Sequence, residues 1–565
     1  MVRAAVFFVI HSQIEIKGKL VAMPSSLEGQ VQDDHVPHPS IARVGAARSA
    51  FVGRTLRGPV DRPVIIRSFN EFSQVFGGLW QPSLLGYAIE QFFDNGGREA
   101  LVVRVANGAR AATLCLPAAD EKLVLRAVRP GTREFLRACV DYDNIPSDNT
   151  AEFNLTVQRV RTQGTLRVED QETYRALSVR PGAAAHVENA LSDSELIRLV
   201  GPAPLSRPLR TLDPASGLAT GYVYSNSDGD DGDPLTDYDL IGSPRERTGL
   251  FALDAADYFN FLVIPPISRG RDLGISTLIV AARYCKRRQA LLIVDPPKEW
   301  HTADEALRSV REWGFASEDA FMYFPRILAL DKLRGRFETF APCGAVAGML
   351  SRADALTPQW ASPETEEPVL RPGYRPSCLV PEYARVKLAA LGVNVIHSVR
   401  APERVAQAPR TLGLGSAGAA DWQYLATRRF ALSVVRSLEL GTRWVAAPQS
   451  RATLRATLRA TVEAQVRAFF EALHREGAFG DRRAEEAYFV ICDDRLRGRS
   501  DASPQRLDLV VGFAAARCGE YHSYRITQTP AGGEIHPVTV NRLKYQQFSP
   551  GEIEWVDRLA DQLQP

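Results

Sequence analysis

Long apolar runs are missing from this chain. No stretch reaches the roughly 18 consecutive apolar residues of a membrane-spanning helix, so no span is expected. The apolar run from Ala4 to Ile10 is short, and no small-x-small cleavage site follows it closely. An excess of basic charge is missing too. Lys and Arg number 68 against 66 Asp and Glu, a formal net charge of +2. Phosphate backbones are bound through a basic excess or stripe, so neither nucleic acid nor a membrane surface is expected as a direct partner. Cysteine is sparse, with seven scattered from Cys115 to Cys518 and none in a CxxC or Cys/His cluster. Such a set excludes a disulfide framework and reads as reduced, mostly buried thiols of a cytoplasmic product.

Catalytic signatures are equally scarce. The nine histidines form no HxxxH or HExxH pair, which argues against zinc. No GxSxG elbow supplies a nucleophile. The best candidate acid is Asp295, which ends the apolar run ALLIV at 290–294, where the carboxyl edge of an open α/β sheet would lie. The best candidate base is His397, which follows another apolar run. Asp295 precedes two prolines and reads more simply as a strand-terminating turn residue. The segment Gly53-Arg54-Thr55-Leu56-Arg57-Gly58 follows a strand, yet its spacing is neither a Walker loop nor GxGxxG. Asp228, Asp230 and Asp233 in SDGDDGDP (227–234) are oxygen donors without the glycine and twelfth-position Glu of an EF-hand. They read as a solvated turn. No cofactor, metal or catalytic residue is expected, and the chain is not expected to be an enzyme.

What is present is α/β periodicity. The spacing predicts a buried strand at 50–53, helices at 70–76 and 84–94, and a strand at 100–105. Asn95-Gly96-Gly97 supplies the stop for the second helix. From about 106 to 225, β-like runs at 153–160 and 174–179 alternate with Gly, Pro and Ser. After 250 the pattern returns to α/β, with a strand at 290–294, a helix at 303–313 and a strand at 394–399. Long helices are expected at 422–440 and 456–475, ended by Gly441 and Gly477. The second carries the stripe Leu458, Val462, Val466, Phe469 and Leu473. Strands at 488–492 and 508–513 could pair in one sheet.

Several of these runs also carry a family resemblance. Phe51-Val52-Gly53, Gly58-Pro59, Glu71-Phe72 and Val75-Phe76-Gly77-Gly78 resemble the opening of the contractile phage tail sheath family. Phe92-Phe93-Asp94-Asn95-Gly96-Gly97 and Val102-Val103-Arg104-Val105 continue it. Further likenesses are Arg247-Thr248-Gly249, Ile264-Pro265-Pro266, Asp295-Pro296-Pro297, Cys343-Gly344-Ala345-Val346-Ala347-Gly348, Arg410-Thr411-Leu412-Gly413, Gly441-Thr442-Arg443-Trp444 and Val511-Gly512-Phe513. They keep the family's order over about 40 to 528.

The resemblance implies an α/β core, a mixed sheet with flanking helices of subtilisin-like topology without an active site, plus an inserted β-rich domain and extended terminal arms. The expected organisation is an N-terminal arm at 1–48, core at 49–105, the β-rich insertion at 106–225, a middle α/β domain at 226–392, a C-terminal core domain at 393–528, and a C-terminal arm with a terminal helix at 529–565. It implies subunits that self-assemble as stacked hexameric rings around an inner tail tube protein, with baseplate and terminator or cap proteins at the ends. Such a sheath belongs to a virion tail or a phage-tail-like particle assembled in the bacterial cytoplasm. The arms would add strands to neighbouring sheets. The inter-subunit candidates are Gly29, Val31, Asp33 and Asp34 in the first arm, Tyr521, Tyr524 and Ile526 before the second, and Ile553, Val556 and Leu559 on one face of the terminal helix.

Four segments depart from the family pattern, one of them Ala514–Glu520 (AAARCGE), which stands where the family has a proline-rich turn. Met23-Pro24 resembles the family's start, so residues 1–22 read as lying upstream of it. The family's PGVYVEE arm keeps only Gly29 and an acidic pair here, with Gln30 and Gln32 replacing apolar residues. Ala447-Pro448-Gln449 stands where the family has Glu-Pro-Asn, and 529–565 extends past the usual end.

Overall fold

In a computed structural model of the chain, the described residues are 40–45, 48–161, 166–212, 221–358, 360, 369–396, 408–413, 422–446, 455–492, 506–514 and 522–538. Gly29, Val31, Asp33, Asp34, His397, Tyr521, Ile553, Val556 and Leu559 lie outside them.

The first strands are β1 (Ser49–Gly53), β2 (Val64–Ile66) and β3 (Ala100–Arg104). Between β2 and β3 run helices α1 (Phe69–Phe76) and α2 (Leu85–Asp94). Ser68 caps α1 by accepting from the Glu71 amide, and Gly77, with φ +93, ends it. That is the capping asymmetry expected of a short helix. The core sheet is completed by β11 (Phe261–Val263), β12 (Leu291–Val294), β13 (Ala320–Phe324) and β17 (Val393–Val395). Its order is β17-β13-β12-β11-β1-β3-β2. Every pairing is parallel except that of β2 with β3. Parallel strands covered on both faces read as continuous apolar runs, as in LLIV of β12 and AFMYF of β13.

Helices cover both faces. On one side α2 and α7 (Cys343–Asp354) pack over Phe51, Val102, Phe261 and Phe321. On the other, α5 (Ile275–Arg288), α6 (Ala303–Ser309) and α8 (Glu382–Ala390) help bury Val52, Val103, Leu262, Leu292 and Met322. The backbones of α2 and α7 nearly touch. A Cβ on Gly344 would lie 2.0 Å from the Ala88 carbonyl oxygen, and one on Gly348 2.2 Å from that of Phe92.

Three antiparallel sheets surround this core in the sequence segments between its strands. Two lie in the stretch between β3 and β11. One orders β4 (Thr113–Ala118), β5 (Glu121–Ala127) and β9 (Ile197–Leu199). The other orders β10 (Val223–Tyr224), β6 (Leu136–Asp141), β7 (Glu152–Arg161) and β8 (Arg167–Ser178). They share one apolar core with the short helix α3 (Val187–Leu191). The third sheet is a hairpin of β14 (Ile327–Asp331) and β15 (Arg336–Phe340), joined by β16 (Arg375–Pro376). Helix α4 (Asp237–Ile241) leads back into the core.

The C-terminal layer is a fourth antiparallel sheet, β18 (Tyr488–Ile491), β19 (Leu507–Phe513), β20 (His522–Thr529) and β21 (Gly532–Val538), in that order. Helices α9 (Leu425–Thr442) and α10 (Arg455–Arg475) pack on one face of it, and α11 (Ala484–Ala487) precedes β18. Several expected boundaries move, among them that of the strand expected at 394–399, which is Val393–Val395. The helix expected to reach 313 stops at Ser309, and Trp313 instead packs edge-on against Trp300 at 6.0 Å. Gly441 lies inside α9 and does not end it. A Cβ there would come within 2.7 Å of the Ile41 side chain, so glycine admits a neighbouring segment.

Candidate functional site

Asp295, the candidate acid, has one oxygen engaged in structure, and the candidate base His397 lies outside the described residues. Asp295 follows β12 at the carboxyl edge of the core sheet. Its Oδ1 accepts from the Cys343 amide at 2.9 Å. Cys343 is the first residue of α7, and the preceding Pro342 has no side-chain cap to offer. Asp295 therefore caps a buried helix from a distant loop, satisfying one of its orphan donors. Burial pushes its carboxyl up to about 6, against the lowering effect of Cys343 and Arg326. Nearby, Arg326 donates to the Pro296 carbonyl at 3.0 Å and to Asp272 at 2.6 Å. A cleft of about 750 Å³ opens beside Asp295, lined by Asp272, Trp300, Glu305 and Trp313 among others. Glu305 is spent on the Thr302 capping box of α6.

The loop after β1 is likewise used internally. Arg54 donates to the carbonyls of Asp231 and Gly232 at 3.0 and 2.5 Å, and Ser83 donates to the Arg54 carbonyl at 2.6 Å. Gly58, at φ +107, makes room for the Phe76 ring, which a Cβ would approach to 2.5 Å. The acidic turn is a clasp. Asp230 accepts from the Gly232 amide at 2.7 Å and from Arg110 at 3.3 Å, and its backbone exchanges bonds with Arg110. Asp231 accepts from the Thr132 amide and hydroxyl at 2.9 and 2.7 Å. Arg104 sits buried beneath, donating to the carbonyls of Gly58 and Pro130. Desolvation lowers its guanidinium to about 10. The two chain crossings between core and insertion are thus locked together. Among the described residues, no cluster of three or more His, Cys, Asp or Glu is placed to hold a metal ion.

The surfaces left with unspent hydrogen-bonding capacity are sheet edges. In the C-terminal sheet β18 and β21 have a strand on one side only among the described residues. β21 reads GGEIHPV, with Glu534, His536 and Pro537 exposed. At the core sheet's edge, β17 is partly covered. The Asn394 amide group donates to the carbonyls of Met322 and Arg410, and its carbonyl accepts from the Arg410 amide.

Tyr524 and Ile526, expected as contacts to neighbours, are core residues of β20. They are 4% and 0% exposed and pair with Val511 and Leu509. Residues 532–538, expected as part of the C-terminal arm, form the edge strand beside them. The signal was there to read: Pro530-Ala531-Gly532-Gly533 is turn chemistry, and Ile535 alternates with polar neighbours.

Helix α9 bolts this sheet to the core. Arg428 pairs with Asp319, just before β13, both buried. Arg429 pairs with Asp354 at the end of α7. The Arg428 guanidinium lies 4.6 Å from the Trp422 ring, and Trp422 stacks on His522 at 4.0 Å. Burial, then Arg428, holds the His522 imidazole down at about 4, and burial lifts the Tyr524 phenol to about 12. Gln528 closes the joint by donating to the Glu439 carbonyl at 2.6 Å and to Thr442 at 2.9 Å.

The described residues thus form a parallel-rich core with an open-edged antiparallel sheet packed against it through α9. No protein-family model matches the chain, and no curated protein matches it. Solved structures do. Sheath tail protein Lin1278 from Listeria innocua aligns over 86% of this chain and 95% of its own, at TM-score 0.54 and 12% identity. The contracted sheath of the extracellular contractile injection system PVC covers 89% of this chain and 96% of its own, at TM-score 0.48 and 14% identity. The contracted helical sheath of the anti-feeding prophage covers 88% and 97%, at TM-score 0.48 and 16% identity. Each of these neighbours is a sheath protein. The chain has the fold of a sheath tail protein. Among the described residues, no helix is long and apolar enough to cross a membrane.

Proposed function

We propose that this chain is the structural subunit of a contractile sheath, assembling with copies of itself around an inner tube. The observation that carries the reading is the shared fold, which takes in 95% of a solved sheath tail protein. In this reading the core winds as the subtilisin-like order implied by the family and faces the tube, and the β-rich insertion faces outward. Segments 1–39 and 539–550 link subunits by adding strands to the open edges of neighbouring C-terminal sheets. Main-chain hydrogen bonds give such augmentation its strength. The capped Asp295 and the absence of a phosphate loop suit a machine driven by repacking rather than by chemistry. Contraction would relax a metastable array into one with more buried interface. Hexameric rings, a baseplate at one end, a cap at the other and assembly in the bacterial cytoplasm complete the proposal.

Sedimentation velocity of the purified chain across ionic strength tests it. Concentration-dependent species of ring size and larger are expected. A monomer at every salt and protein concentration would remove the proposal.

A further inference from the structure

The β14–β15 hairpin carries an apolar face that nothing described covers. Leu330 and Phe337 are cross-strand partners on its outer face, 46% and 51% exposed. Leu333 at the turn is 49% exposed. Its inner face is fixed. Asp331 is buried and accepts from the Tyr87 hydroxyl at 3.1 Å and the Leu333 amide at 2.9 Å, and it pairs with Arg269. The exposed face is therefore a firm platform. Its exposed rim is basic: Lys332, Arg334, Arg336 and Arg375 stand against the largely buried Glu90 and Glu338, with which the first three pair. The Arg375 guanidinium lies 5.4 Å from the Phe337 ring centroid.

We propose that this platform is the dock for the chain's own C-terminal segment, residues 551–564. That segment supplies the complement in both respects. Ile553, Val556, Leu559 and Leu563 recur at spacings that place them on one helical face. Glu552, Glu554, Asp557 and Asp561 stand against Arg558 alone. An apolar stripe rimmed by carboxylates fits an apolar pair rimmed by guanidinium groups. Tyr383 and Val386 on α8, another exposed apolar pair, stand beside the carboxylates of Glu382 and Asp304 as well as the cations of Arg385 and Lys387, and so have no basic excess. The 13 residues from 539 to 551 can span about 45 Å when extended. Tethering favours the same subunit by raising the effective concentration to the millimolar range. The dock does not depend on the sheath reading, since it is a contact within one chain.

The test is photo-crosslinking in the full chain, with a benzoylphenylalanine in place of Leu559. Mixing unlabelled with nitrogen-15-labelled protein separates contacts within a chain from contacts between chains. Crosslinks into residues 327–340, carrying one label type only, are expected. The double variant Leu333→Glu/Phe337→Glu should lower their yield at least fivefold with the thermal midpoint unchanged. Arg336→Glu or Asp557→Arg alone should lower the yield, and the two together should restore it. Crosslinks elsewhere, mixed-label crosslinks, no crosslinks, or failure of the charge swap would each overturn the dock. Ring or tube formation is read separately, so the two proposals can fail apart.

Discussion

Arg428 on α9 and Asp319 before β13 form a buried ion pair that joins the C-terminal sheet to the core across 109 positions of sequence. Each side chain is about 95% removed from solvent. Burying a pair roughly balances desolvation against attraction, but stranding one partner costs about 3–5 kcal/mol.

Arg428→Met should therefore cost several kcal/mol in chemical denaturation. Arg428→Met/Asp319→Leu should recover much of that loss, because no charge is left unpaired. Equal loss in the single and double variants would show that packing rather than charge governs this joint.

Acid should reveal two opposing groups. Asp295 in the fold titrates near 6, above its ordinary range near 3.8, so its stabilising contribution is complete below 3.8 and is lost as pH rises through 6. His522, held near 4 against an ordinary 6.5, contributes stability that is complete above 6.5 and is lost as pH falls through 4. Asp295→Asn keeps an oxygen for the Cys343 amide without the charge. It should be more stable than the parent at pH 7.5, and the gap should close toward pH 4. His522→Phe should lose less stability than the parent between pH 6.5 and 4. Thermal melts at stepped pH measure both.

Close approach of α2 and α7 depends on missing side chains. Gly344→Ala puts a methyl where only 2.0 Å separates it from a backbone oxygen. Overpacking of this kind costs about 1–3 kcal/mol. The same change at Gly335, in the exposed β14–β15 turn with nothing within 4 Å, meets no neighbour. Its φ of +68 carries only local backbone strain. Gly344→Ala should lower the melting midpoint by more than Gly335→Ala.

The acidic clasp should act locally. Asp231→Ala removes the acceptor for both Thr132 donors. Hydrogen exchange should quicken at 107–112 and 128–134, where insertion and core meet, and stay unchanged in β11 to β13. Faster exchange throughout the core would instead make the clasp part of the core's own stability.

How much of this was legible follows from the range of the interactions. The stripe on α10 was legible because helical periodicity is local, and Val462, Val466, Phe469 and Leu473 are buried together. The pairing of β18 with β19 was legible from two apolar runs. The role of Asp295 was not, because its partner amide lies 48 positions away. Gly441 misled for the same reason, since the Ile41 side chain that demands it comes from the other end of the chain. Tyr524 and Ile526 looked like contacts for a neighbour because the helices that bury them, α9 and α10, precede them by 49 positions or more and the next strand, β21, was read as an arm.

The central claim is that this chain builds a sheath. Electron microscopy of the purified protein, with and without a co-produced tube protein, tests it most directly. Hollow helical tubes or stacked rings, with density adding strands at the β18 or β21 edge of each C-terminal sheet, are the expected result. Monodisperse single particles in every condition, with or without the tube protein, would contradict the account.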